Sequence, residues 1–111
     1  MRFRWADCEI DREARAFARG GRPVHVQPLV LDLLLLLLQH RGQVVSEDVL
    51  RRLLWPEVQV TDASLRRLVK EARRAIGDDG EAQRFIETIR GRGLRFATPV
   101  AVEAGWDTSF V

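Results

Sequence analysis

The sequence predicts an α+β fold: a small antiparallel sheet, three helices around one core, and a closing β-hairpin. Three observations predict it. Short alternating segments separated by turns fill residues 1–26, helical periodicity bounded by capping signals runs through residues 28–76, and two β-rich arms flank Gly91-Arg92-Gly93 in residues 85–96. A chain of 111 residues encloses one modest core and is too short for a catalytic domain joined to a second module. Residues 1–97 are therefore expected as one domain. Residues 98–111, small, polar and net acidic, are expected as a linker or tail toward a downstream module.

Phe3 and Trp5 share one parity and Cys8 and Ile10 the other, which predicts two strands with a break at Ala6-Asp7. Residues 13–19 predict a third strand around Phe17, Gly20-Gly21 a turn, and Val24-His25-Val26 a fourth strand, giving a four-stranded antiparallel sheet. Pro28 suits the first position of a helix because its missing N–H is not needed there, and the leucine run predicts a helix over 28–40, buried nearly all round and ended by Gly42. Ser46 caps a second helix over 47–54, with Glu47 and Asp48 placed to complement its dipole. Val49, Leu50, Leu53 and Leu54 face inward on it, Arg51 and Arg52 outward, and Pro56 ends it.

The third helix, residues 62–76, is capped by Thr61 or Asp62 and closed by Gly77. At about 100° per residue, Leu65, Leu68, Val69, Ala72, Ala75 and Ile76 gather on one side, and Ala63, Arg67, Lys70 and Arg74 on the other. Arg66 and Arg73 flank the outer face on one edge, Ser64 and Glu71 on the other. The acidic turn Asp78-Asp79-Gly80-Glu81 then leads to the hairpin, which Arg90, Arg92 and Arg95 make basic.

Composition narrows the function classes. Hydrophobic residues at 46% and charged residues at 31% are those of a folded, soluble domain. The longest apolar stretch, residues 29–38 interrupted by Asp32, is about half of the ~20 residues a membrane-spanning helix needs. There is no signal-peptide pattern at the N-terminus, so a cytoplasmic location is expected. The lone Cys8 offers neither a disulfide framework nor a cysteine zinc site and is expected as a small buried hydrophobe. His25 and His40 have no triad spacing around them, Asp78, Asp79 and Glu81 lack the spacing of a calcium loop, and Gly91-Arg92-Gly93 is too short for a nucleotide fingerprint. No enzyme, metal or cofactor is expected.

The net charge of +2 conceals a separation. Residues 61–76 hold five basic and two acidic side chains, and residues 84–97 four basic and one acidic, so the rest of the chain is net negative. A short helix, a connection, a second helix with a cationic face and a basic hairpin make the layout of a winged helix-turn-helix. In that layout, guanidinium groups reach phosphates or guanine edges.

The segments VQVTDASL at 58–65, ARRAIGDD at 72–79 and FIETIRGRGLRF at 85–96 resemble the OmpR/PhoB-type winged helix domain of bacterial transcription regulators. The resemblance covers about residues 1–97, including a four-stranded N-terminal sheet. It implies sequence-specific binding of double-stranded DNA in transcription regulation, with the recognition helix 62–76 in the major groove and the wing 85–97 on an adjacent groove or backbone. Carried over by position, it places Ser64, Arg67, Lys70 and Arg74 on the DNA side of the helix, matches Arg73 to a basic position of the family at the edge of that face, and puts Thr88, Arg90 and Arg92 on the wing; Arg66, on the same edge as Arg73, joins them as a DNA-binding candidate. It further implies RNA polymerase as a partner that the loop between the second and third helices can touch, and a homodimer as one arrangement on DNA. Leu94 stands where the family carries a tyrosine, which removes one hydroxyl from the wing. The alternative is a winged-helix protein-interaction module without sequence-specific DNA binding, since one fold serves several functions.

Overall fold

A computed structural model describes residues 1–103. In chain order the elements are β1 (Arg2–Trp5), β2 (Cys8–Asp11), β3 (Ala16–Arg19), β4 (Arg22–Pro23), α1 (Pro28–Gln39), β5 (Val45–Ser46), α2 (Glu47–Leu54), α3 (Asp62–Ile76), β6 (Ile86–Ile89), β7 (Gly93–Phe96) and β8 (Ala101–Glu103). Two antiparallel sheets result, a five-stranded one in the order β4-β3-β2-β1-β8 and a three-stranded one in the order β5-β7-β6.

The parity break between β1 and β2 does what the sequence requires. Ala6, at φ 48, and Asp7 turn the chain so that Phe3 lies opposite Ile10 and Trp5 opposite Cys8, and all four side chains enter the core. Phe17 joins them from β3. Trp5 meets Phe96 of β7 edge to face, with ring centroids 5.1 Å apart, and so ties the two sheets together. Cys8 is buried as expected; its thiol is pushed up to about 12, first by burial and then by the neighbouring Asp7 carboxylate.

α1 is the central helix. Val30, Leu31, Leu33, Leu34, Leu35, Leu37 and Leu38 are all buried, so it packs on nearly every side. Ser46 caps α2 by accepting from the Val49 N–H at 3.1 Å, and Thr61 caps α3 by accepting from the Ser64 N–H at 3.3 Å. Gly77 closes α3 in the left-handed region at φ 77.

The structure corrects the sequence reading at four places. The fourth strand is Arg22–Pro23; residues 24–26 make one backbone bond, Val24 N–H to Phe17 O at 2.9 Å, and no ladder. Residues 101–103, expected within the linker, form a fifth strand paired to β1 with Arg2 opposite Glu103. The rest of that expected tail, residues 104–111, lies outside the described residues. Leu53, expected inward on α2, is 59% exposed, because α2 buries only Leu50 and Leu54 fully. Arg51, expected outward, is half-buried and bridges to Asp62 at 2.7 Å, which joins α2 to the start of α3.

A short strand that the sequence does not announce, β5, explains one glycine of the hairpin. Gly93 lies opposite Ser46 at φ 152, and a Cβ on it would fall 2.0 Å from the Val45 carbonyl oxygen. Only glycine permits that approach. Gly91, at φ 74, forms the tip itself.

Candidate nucleic-acid interface

The buried stripe of α3 is Leu65, Leu68, Val69, Ala72 and Ile76, and it sets the outer face by exclusion. Arg66, Arg67, Lys70 and Arg74 are exposed on that face, and Ser64 is half-buried with its hydroxyl 3.4 Å from that of Thr61. Arg90 and Arg92 are exposed around the wing tip. Among the described residues none of these six cations has an ion-pair partner. Arg95, by contrast, is held by Glu87 across the hairpin, Nε to Oε1 at 3.0 Å, so the hairpin's basic side chains divide into two kinds.

A groove of about 730 Å³ runs between α3 and the wing. Leu65, Val69 and Leu94 give it apolar walls, and Arg66, Lys70 and Arg73 line it with charge. Ser64 and Arg67 stand further round the helix, outside it.

Arg73 and Thr88 meet each other. The Arg73 guanidinium donates to the Ile86 carbonyl from Nε at 3.3 Å and from Nη2 at 3.0 Å, and from Nη2 to the Thr88 hydroxyl at 2.9 Å. Burial draws the Arg73 pKa below its ordinary value while Asp78 and Asp79 oppose that shift, and an arginine stays charged throughout.

Asp78 holds the start of β6 in place, a role its position in an acidic turn does not announce. Read as part of a plain acidic turn, it is 8% exposed, and its two carboxylate oxygens accept from the backbone N–H groups of Asp79, Arg84, Phe85 and Ile86 at 2.7–3.0 Å. Burial alone raises its pKa, but the four donors outweigh it and hold the carboxyl below its usual range. Its signal in the sequence was an aspartate just after a helix-closing glycine and before a strand.

A three-helix core carrying an exposed cationic helix next to a basic hairpin defines a winged helix-turn-helix domain. Residues 21–96 match the family described as "Transcriptional regulatory protein, C terminal". The transcriptional regulator HilA of Salmonella typhimurium is 36% identical over 84 residues, covering 76% of this chain and 15% of HilA. The transcriptional activator CadC of Escherichia coli K12 is 32% identical over 84 residues, covering 75% of this chain and 16% of CadC. The chain thus spans about a sixth of either relative. Among solved structures, the Thermotoga maritima response regulator DrrB, an OmpR/PhoB homologue, aligns with a TM-score of 0.80 at 29% identity over 87% of this chain and 44% of DrrB. The DNA-binding domain of Klebsiella pneumoniae RstA, solved in complex with the RstA box, aligns with a TM-score of 0.76 at 26% identity over 86% of this chain and 96% of that domain. The chain belongs to the OmpR/PhoB-type winged helix family of transcriptional regulatory proteins. Among the described residues, no helix is long and apolar enough to cross a membrane.

Proposed function

We propose that this domain binds double-stranded DNA sequence-specifically in transcription regulation, with α3 in the major groove and the wing on an adjacent groove or the backbone. The observation that carries the reading is the set of six exposed cations on α3 and the wing that have no carboxylate partner among the described residues. Unpaired guanidinium and ammonium groups on a protruding helix are available to phosphates and base edges. Ser64, Arg66, Arg67, Lys70 and Arg74 form the helix contribution, Arg90 and Arg92 the wing contribution, and Arg73 with Thr88 the seam between them. The RstA domain, of the same fold, is known with its DNA box, which supports this placement. The loop at 56–60 is the surface open to RNA polymerase, where Val58 is 63% exposed, and a homodimer on DNA belongs to the same reading.

A binding selection on random duplexes tests the reading, and an enriched motif is expected. The triple variant Arg67→Ala, Lys70→Ala, Arg92→Ala should lose about 30-fold or more in duplex affinity. Its log–log salt slope should become shallower by about 3, because each lost phosphate contact releases fewer counterions. No enriched motif, together with a triple variant that binds like the parent, would leave the protein-interaction module as the function.

A further inference from the structure

The order β5-β7-β6 leaves β6 at a sheet edge, with backbone groups that no neighbouring strand takes. Side chains from the end of α3 and the loop after it take them instead. The Ile86 N–H goes to Asp78 Oδ2 at 2.9 Å, the Ile86 carbonyl to Arg73, and the Thr88 N–H to Gln83 Oε1 at 2.8 Å. Of these three, only Arg73 lies on the recognition helix itself, and it grips two points of the strand, Ile86 O and Thr88 Oγ1.

Arg73 differs from the other cations of α3 in that its Nε and Nη2 donors are already committed inside the protein. Arg66, Arg67, Lys70 and Arg74 have no such commitment among the described residues. We propose that Arg73 is a positioning residue: acting through Ile86 and Thr88, it fixes the distance of the wing from α3 and so the spacing at which the two elements meet the duplex. The inference rests on the DNA-binding reading for its consequence, though the clamp itself is a property of the free protein. A forked, planar guanidinium can hold two acceptors on one strand, and a lysine ammonium of the same charge cannot reproduce that geometry.

Two measurements test it. In the free protein, amide hydrogen exchange of residues 86–89 should quicken about tenfold or more in Arg73→Ala and in Arg73→Lys, while β1–β3 and α1 keep their protection. In duplex binding, Arg92→Ala should weaken the parent about fivefold or more and weaken an Arg73→Ala background by less than about twofold, because a displaced wing has little left to lose. Thr88→Val, which keeps the shape and removes the hydroxyl, should show the same coupling in smaller measure. If Arg73 is instead a plain phosphate contact, Arg73→Lys retains most of the affinity, the two losses multiply, and residues 86–89 exchange as in the parent; that result overturns the proposal. A parent that binds no duplex refutes the DNA reading, while the exchange measurement still decides whether the clamp exists.

Discussion

The two sheets use the same residue type in opposite ways. On the five-stranded sheet, Arg2 faces Glu9 and Asp11, Arg4 faces Glu9 and Glu103, and Arg19 faces Asp7, so every strand arginine but Arg22 sits within 4 Å of a carboxylate among the described residues. On the three-stranded sheet, among the described residues, only Arg95 is neutralised this way, and Arg90 and Arg92 are exposed around the hairpin tip with no carboxylate partner. The sheets also differ in how they are held. Both contain continuous ladders, β6 on β7 in the smaller one included, but the smaller one is in addition fixed at single points: a missing side chain at Gly93, the Asp78 carboxylate and the Arg73 guanidinium. A scaffold that cancels its own charge leaves the protein's net field to the elements that do not, and those elements are steered by few contacts.

The comparison breaks most visibly at Gly93. Gly93→Ala should cost roughly 2–4 kcal/mol in urea unfolding, because the new Cβ meets backbone that cannot swing aside. A loss below about 0.5 kcal/mol would mean that β5 is free to shift and the smaller sheet is not pinned there.

Asp78→Asn comes next, at roughly 2 kcal/mol, since an amide offers one acceptor oxygen where the carboxylate offers two to four backbone donors. The sign with pH is fixed by the depressed pKa. The carboxylate's contribution is present above the ordinary aspartate value of about 3.9 and is lost as pH falls through the lower folded value. Subtracting the variant's stability curve from the parent's should therefore leave a difference that disappears on the acid side of about pH 4. A difference that persists at lower pH would place the effect in packing rather than in charge.

The smallest effect is expected on the larger sheet. Arg4→Gln removes exposed ion pairs to Glu9 and Glu103 and should cost less than about 1 kcal/mol. Duplex affinity should stay within about twofold of the parent. A larger fall in affinity would bring this sheet into the interface and end the division of labour.

The parts legible in the sequence are those with local physical causes. The ranges of α2 and α3 follow from Ser46, Thr61 and Gly77, and the cationic face follows from the spacing of six apolar positions, of which the structure buries all but Ala75. The unread parts are decided at long range. β5 and β8 are two and three residues long, too short for periodicity, and each exists only because a strand elsewhere offers it an edge. Residues 24–26 fail as a strand for the converse reason: their β-branched character meets no partner ladder. The wheel places Arg73 on an edge of α3 but says nothing of Ile86 and Thr88, thirteen and fifteen residues on, which decide what that guanidinium does.

The pairing of β8 with β1 has a mechanical consequence. Because the strands are antiparallel and Arg2 lies opposite Glu103, the two ends of the domain emerge side by side. Tension applied between those ends loads the backbone bonds one at a time, in the manner of a zipper, instead of shearing them all at once. β8, three residues long and on the exposed edge of the sheet, is therefore the element expected to peel first under force.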